Sequence, residues 1–129
     1  GARDEHTIRA FLEAESYPGP SLIIAYSHCI AHGIDMAQGM AQQKLAVDTG
    51  RWLLYRYDPR RRERGENPLQ LDSPPPRRDL AEQWASEQRF RLLRSGPGER
   101  GRELQERARL ERDRRLELFR ALAQPDGSG

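Results

Sequence analysis

Apolar residues recur at helical spacing near the start of the chain. Ile8, Phe11 and Leu12 lie at positions i, i+3 and i+4, which predicts a helix over residues 4–16 with one apolar face. The sequence Tyr-Pro-Gly-Pro at residues 17–20 ends this helix, because proline lacks a backbone N–H and disfavours helical geometry in the residue before it.

A short, continuous apolar run, Ser-Leu-Ile-Ile-Ala-Tyr, follows at residues 21–26. A run of this kind between turn residues is typical of a strand buried inside a parallel sheet, with helices on both faces. Helix, turn and buried strand form the second half of a βαβ unit, and the first strand of that unit is missing from this sequence. An unpaired buried strand invites aggregation. We therefore expect the last piece of a larger α/β domain, and Gly1 in place of an initiator methionine points the same way.

The middle of the chain predicts one further helix and two short extended segments. Residues 29–47 have helical spacing, and Gly50 stands where a C-terminal glycine would close the helix. Its expected inward residues are Ile30, Ile34, Met40 and Leu45. Residues 52–57 and 68–72 are the extended segments, joined by a loop over residues 58–67 and followed by a stiff Ser-Pro-Pro-Pro connector at residues 73–76.

Two helices are predicted at the end of the sequence. Asp79 and Glu82 have the spacing of a capping box, so the first helix begins there and runs to Arg94. Residues 95–98 break it, a second helix runs over 99–123, and residues 124–129 form a frayed tail. The expected inward side chains are Leu104, Ala108, Leu116, Phe119 and Leu122, and the expected i, i+4 ion pairs are Glu103/Arg107 and Glu111/Arg115.

Composition limits the size of the core and the class of protein. The chain has 129 residues, of which 36% are hydrophobic and 33% charged, which allows one domain with a thin core. No apolar run is long enough to cross a membrane, and the N-terminus lacks a secretory signal. Since one cysteine excludes an internal disulfide framework, we expect a cytoplasmic protein with no membrane partner.

The basic residues are almost all arginine. Lys44 is the one lysine, so 21 of the 22 basic side chains are arginine, yet the net charge is only +2. An arginine-rich helical module that binds RNA or an acidic partner is therefore one hypothesis, supported by residues 60–64 and the last helix. A solvated loop beside Glu63 and Glu66 is the other interpretation of that arginine run.

The densest polar cluster, Ser-His-Cys-Ile-Ala-His-Gly, covers residues 27–33 directly after the predicted strand. Ligands gather beyond the carboxyl ends of strands in open α/β sheets. Cys29 could be a catalytic thiol with His28 nearby, half of a zinc site with His32, or one of four thiolates around an iron–sulfur cluster. It could also be a buried small residue, with the histidines in packing or capping roles.

No complete active site is encoded, so no catalytic or cofactor-binding residue is assigned from chemistry. The sequence has no glycine-rich phosphate loop, no Walker motif and no nucleophile elbow. Trp52, Tyr55 and Tyr57 could stack on bases, but packing is the favoured interpretation.

Five blocks of sequence together resemble one family. They are Tyr17-Pro-Gly-Pro-Ser-Leu-Ile-Ile-Ala-Tyr-Ser-His-Cys-Ile-Ala-His-Gly-Ile-Asp-Met36, Gln42-Gln-Lys-Leu-Ala-Val-Asp48, Leu54-Tyr-Arg-Tyr-Asp-Pro59, Asn67-Pro-Leu-Gln-Leu-Asp-Ser73 and Glu87-Gln-Arg-Phe90. In order and spacing across residues 7–95, they resemble the C-terminal part of the pyruvate:ferredoxin (flavodoxin) oxidoreductases. Two departures are Leu53, where the family has proline, and a more basic loop at residues 60–64.

The resemblance implies a fold and one metal ligand. The fold class is α/β: the C-terminal portion of a parallel-sheet thiamine-diphosphate-binding domain, mostly helical, with one buried strand and two short extended segments. Residues 1–95 would be the C-terminal part of the domain that holds thiamine diphosphate and a [4Fe–4S] cluster, and residues 96–129 its last helix and tail. Cys29 would be the last ligand of that cluster, while the other ligands, thiamine diphosphate and Mg²⁺ would be bound upstream in the full enzyme.

The implied reaction is oxidative decarboxylation of pyruvate with coenzyme A to acetyl-CoA. Electrons would pass through [4Fe–4S] clusters to ferredoxin or flavodoxin. The implied partners are the remaining domains of the enzyme, a second copy in a homodimer and the electron carrier, but no nucleic acid. We expect the isolated chain to be inactive. The alternatives are a separately encoded subunit of a 2-oxoacid oxidoreductase and the arginine-rich binding module.

Overall fold

The computed structural model describes residues 1–95 and 99–125. Helices dominate, and two short strands pair in one small sheet. In chain order the elements are α1 (Asp4–Ser16), α2 (Gly39–Asp48), β1 (Tyr55–Tyr57), β2 (Leu69–Leu71), α3 (Leu80–Ser86), α4 (Gln88–Ser95) and α5 (Glu99–Leu122).

Helix α1 confirms the first predicted element. Asp4 and Glu5 lie in its first turn, where negative charge is favourable near the helix N-terminus, and Tyr17 is already extended. The apolar face formed by Ile8, Phe11 and Leu12 is exposed. The predicted apolar face of the helix is therefore present, and it faces outward.

The predicted buried strand at residues 21–26 does not form among the described residues. Residues 21–26 form neither a strand nor a helix, and Leu22 is 83% exposed. A cleft of about 820 Å³ lies between α1, residues 20–27 and residues 52–60. The physical reason is pairing: β1 and β2 pair with each other, so the segment has no neighbouring strand to receive its backbone hydrogen bonds.

The two predicted extended segments form the sheet. Strands β1 and β2 are antiparallel, with Arg56 opposite Gln70. The Arg56 guanidinium donates two bonds to Asp72 (Nε–Oδ2 2.7 Å, Nη2–Oδ1 2.9 Å) and also pairs with Glu13 of α1. The hydrogen bond to Asp72 raises the pKa of Arg56 above its ordinary value. The pair with Glu13 connects α1 to the sheet.

Helix α2 is shorter than predicted. It begins at Gly39 rather than at residue 29, and two 3₁₀ turns, Ile30–His32 and Met36–Gln38, precede it. Gly33 interrupts the helical path with a left-handed φ of 66°. The prediction that residues 30 and 40 face inward is therefore wrong: Ile30 is 74% exposed, and Met40 is also exposed.

The C-terminal end of α2 follows the prediction. Leu45 is buried, and Gly50 lies just past the helix with a φ of 72°, a conformation that glycine adopts readily. Ile34 is partly buried.

The helix predicted from Asp79 to Arg94 is divided in two. The capping box is present: Asp79 accepts from the N–H of Ala81, and Glu82 accepts from the N–H of Asp79. The bond from Ala81, and after it the bond from Arg109 (3.1 Å), keep the pKa of Asp79 below its usual value. Glu87 has extended backbone geometry and separates α3 from α4. The predicted break covers residues 95–98: Ser95 is the last residue of α4, and residues 96–98 lie outside the described residues.

Helix α5 docks on the end of α2. Arg112 and Arg115 donate to the carbonyl oxygens of Thr49 and Gly50 (3.2 and 3.4 Å), and Leu116 of the same helix is buried. These carbonyls are the unsatisfied acceptors of a helix C-terminus.

Some side-chain predictions for α5 are wrong. Glu111 pairs with Arg114 (3.1 Å) instead of Arg115, because Arg115 is turned toward α2. The Glu103/Arg107 pair is confirmed at 2.6 Å. Leu104 and Leu122 are exposed, whereas Ala108 and Phe119 are partly buried. Of the predicted tail, residues 126–129 lie outside the described part of the chain.

The buried apolar core is small, as the composition predicts. Among the residues whose burial the structure describes, it consists of Leu45, Ala46, Val47, Leu53, Leu80, Trp84 and Leu116. Within residues 1–95 and 99–125, no helix is long and apolar enough to cross a membrane.

Candidate functional site

Cys29 lies at the junction between the extended segment and the first 3₁₀ turn. Its backbone is extended, and its side chain caps the turn by accepting from the backbone N–H of Ala31 (N···Sγ 3.4 Å). The thiol is free and exposed, so the interpretation of Cys29 as a buried packing residue is wrong. An exposed sulfur that already accepts a backbone N–H is chemically suited to bind a soft metal.

The backbone after Cys29 is fixed by contact with α4. The N–H of Gln88 donates to the carbonyl oxygen of Gly33 (3.3 Å). A Cβ at Gly33 would lie 2.4 Å from Cβ of Gln88, and the φ of Gly33 is positive. Close approach and left-handed geometry therefore both call for glycine here.

The residue before Cys29 is fixed by contact with α2. Nδ1 of His28 lies 3.3 Å from Nε2 of Gln43. The imidazole also rests on Gly39, where a Cβ would lie 2.4 Å from Nε2 of His28. Gly39 and Gln43 are four residues apart on α2, so they present one face to the ring.

The interpretations of Cys29 as a catalytic thiol beside His28 and as half of a zinc site with His32 receive no support from the described residues. Residues 1–95 and 99–125 contain no group of three or more His, Cys, Asp or Glu side chains that could hold a metal. His28 is directed to Gln43 and Gly39, and His32 closes the 3₁₀ turn. These described residues therefore hold no complete metal site around Cys29.

A buried polar cluster lies directly behind Gln88, and the sequence analysis missed it. The Glu87 side chain is 0% exposed and accepts from Nε2 of Gln42 (3.1 Å), from Nε2 of Gln83 (3.2 Å) and from Nε of Arg89 (2.6 Å). A signal was available: residues 80, 83, 84 and 87 form an i, i+3, i+4, i+7 stripe. Two polar residues therefore share the buried face of Leu80 and Trp84.

The arginines at residues 60–64 are mostly engaged within the chain. Arg60 binds Asp58 through several bonds and donates to the carbonyl oxygen of Ser16 at the end of α1 (3.0 Å). The bonds from Arg60 lower the pKa of Asp58. Arg61 and Arg64 both pair with Glu66 (2.9 and 3.4 Å).

The candidate stacking aromatics are mostly packed. Trp52 contacts Tyr26 (ring centroids 5.2 Å apart), and Tyr55 contacts Phe119 (4.8 Å), as the packing interpretation predicted. Tyr57 is exposed on β1.

Comparison with known proteins assigns the class and then the family. No family model matches the chain. It is 51% identical over 123 residues to the pyruvate-flavodoxin oxidoreductase of Nostoc sp. and 53% identical over 123 residues to that of Trichormus variabilis, in both cases over 95% of this chain and 10% of the relative. It is 39% identical over 124 residues to the pyruvate:ferredoxin oxidoreductase of Moorella thermoacetica, over 96% of this chain and 11% of the relative.

These matches place the chain among the oxidoreductases. More narrowly, it belongs to the pyruvate-flavodoxin oxidoreductase family, as its sequence blocks indicated. The chain spans about a tenth of the length of the curated relatives it matches.

Proposed function

We propose that this chain supplies Cys29 as one thiolate ligand of a [4Fe–4S] cluster in an enzyme that oxidatively decarboxylates pyruvate with coenzyme A. The observation that carries the proposal is the exposed thiol of Cys29, held in a defined turn, in a chain 45–53% identical to several oxidoreductases named for pyruvate and flavodoxin. Clusters of this type take four cysteine thiolates. The other three would come from outside these 129 residues.

The chemistry of the sulfur supports this role. The Ala31 N–H directed at Sγ would withdraw negative charge from a bound thiolate, and hydrogen bonds to cluster sulfurs are one means by which proteins set the potential. Exposure of the thiol leaves room for a cluster on its open side. When bound, the cluster would supply one-electron transfer, and this chain's part is to hold one corner of it.

The proposal extends to the rest of the enzyme. Thiamine diphosphate and Mg²⁺ would bind to other parts of the protein, and the 129 residues would close the thiamine-diphosphate domain, with residues 21–26 as a strand of its parallel sheet. The full enzyme would be a cytoplasmic homodimer that passes electrons to ferredoxin or flavodoxin. Because no complete active site is present in residues 1–129, the chain alone would not turn over pyruvate.

The test replaces the ligand in the full-length enzyme that carries this chain. Cys29→Ala should lower the iron and acid-labile sulfide content by one [4Fe–4S] cluster per chain, about four iron atoms. Pyruvate-dependent reduction of an electron acceptor should fall with it by at least about 100-fold, because losing a ligand costs more than losing an outer-shell partner of a ligand, which itself costs about 10–100-fold.

Ser27→Ala is the matched control. Ser27 lies two residues before Cys29 and donates to the carbonyl oxygen of His28 (3.1 Å), so its loss disturbs the same loop without removing the thiol. This variant should keep its full iron content. A Cys29→Ala enzyme with undiminished iron and an unchanged EPR spectrum would contradict the proposal.

A further inference from the structure

We infer that His28, seated between Gly39 and Gln43, is a positioning residue that fixes the direction of the Cys29 thiol. The inference rests on the proposed role of Cys29 and adds a second residue to it. The segment before Cys29 has no regular secondary structure over residues 20–29. Residues 27–29 also lie beyond the strand proposed for residues 21–26 in the full enzyme, so contacts of the loop itself must hold the thiol in place.

The first support is that the chain is held by a contact with a helix on each side of Cys29. After Cys29, Gly33 is held on α4 by the bond from Gln88. Before Cys29, the side chain of His28 makes the corresponding attachment to α2. Cys29 thus lies between two residues that contact two different helices. The loss of either contact would allow the thiol to change its orientation.

The second support is the fit of the ring to its seat. Gly39 is buried, has an ordinary right-handed helical conformation, and is followed one turn later by Gln43. Its backbone does not need glycine, since alanine is a better helix former at such a position. What excludes a side chain is the imidazole, because a Cβ would lie 2.4 Å from Nε2 and 2.6 Å from Cε1 of His28.

Gln43 then fixes the rotation of the ring. Its amide Nε2 lies 3.3 Å from Nδ1 of His28, at hydrogen-bond distance. The ring is held by packing on one side and by a hydrogen bond on the other. A group held in this way orients its neighbour in the sequence without touching a metal.

The substitution Gly39→Ala in the full-length enzyme tests whether Gly39 makes room for the His28 ring or serves only the structure of α2. If Gly39 serves only the helix, alanine should leave the cluster unchanged and make α2 more stable. If it seats His28, the added methyl displaces the ring. We expect a shift in the midpoint potential and in the EPR g values of one cluster, with the remaining clusters unchanged as a report that the enzyme is folded.

A double-mutant cycle attributes the effect to the ring. His28→Ala should produce a similar shift, and Gly39→Ala should add nothing further in the His28→Ala background, because the displaced group is already gone. Gln38→Ala, at the position directly before α2, is the control, since Gln38 is exposed and makes no side-chain capping bond. It should leave both the potential and the spectrum unchanged.

The outcomes distinguish this inference from the function on which it rests. Full iron in Cys29→Ala overturns the proposed function itself. Loss of a cluster in Cys29→Ala, together with unchanged spectra in both His28→Ala and Gly39→Ala, overturns only the role of His28. Additive shifts in the double variant would also overturn it, because they would mean that Gly39 acts on the cluster without the ring.

Discussion

Glu87 shows how one buried charge can join three helices. Its carboxylate accepts from Gln42 on α2, Gln83 on α3 and Arg89 on α4. A carboxylate taken fully out of water is tolerated only where several donors replace the lost hydration. Its extended backbone also ends α3 and allows α4 to turn Gln88 toward the Cys29 loop.

Glu87→Ala should therefore destabilise the purified chain by about 3–5 kcal/mol, the range for breaking a buried ion pair by removing one partner. Three donors would lose their acceptor at once. Urea denaturation followed by circular dichroism measures the change. Glu103→Ala is the control, since its pair with Arg107 is exposed, and it should change stability by less than about 0.5 kcal/mol. Equal effects of the two substitutions would show that Glu87 does not organise the fold.

At the scale of elements, the sequence predicted a helix boundary correctly where neighbouring residues alone determine that boundary. The start of α3 follows from Asp79 and Glu82, and the end of α2 from Gly50, because capping and left-handed turns depend on neighbouring residues alone. The start of α2 and the break at Glu87 were missed. Both depend on contacts with residues far along the sequence, as in the contact of Gly33 with Gln88.

The segment over residues 21–26 has the sequence pattern of a buried strand, but the neighbouring strands that such a strand requires are not found among the described residues. Its composition favours a buried strand, yet Leu22 and Ile24 are exposed and the segment has no strand partner among the described residues. The same holds for the apolar face of α1. A strand is completed by its neighbours, so the sequence of one strand cannot specify the sheet.

Hydrogen exchange should show this dependence directly. In the isolated chain we expect the amides of residues 22–26 to exchange quickly, because neither a helix nor a strand protects them. In the full-length enzyme the same amides should be protected on the order of 100-fold or more, since sheet pairing would bury them. Residues 45–47, buried in α2, should be protected in both. Fast exchange of residues 22–26 in both samples would contradict the predicted sheet.

At the scale of the whole molecule, the arginine count invites an RNA-binding function that the arrangement of charges does not favour. Most of the arginines that supported this hypothesis face a carboxylate of the same chain. Arg60 binds Asp58, Arg61 and Arg64 bind Glu66, and on α5 Arg107, Arg109, Arg112 and Arg114 pair with Glu103, Asp79, Asp113 and Glu111. The net charge of +2 agrees with this internal neutralisation. A field that attracts phosphates needs cations that are not already paired.

The purified chain should therefore show no binding to a generic single-stranded RNA at about 50 mM salt, where phosphate contacts are strongest. Fluorescence anisotropy of a labelled oligonucleotide measures this. The double variant Asp58→Asn, Glu66→Gln is the matched comparison, because it releases Arg60, Arg61 and Arg64 while the arginine count stays the same. This variant should gain weak binding that disappears as salt rises to about 200 mM. Salt-sensitive binding by the unaltered chain would instead favour the arginine-rich module, since paired arginines would then be exchanging their carboxylates for phosphates.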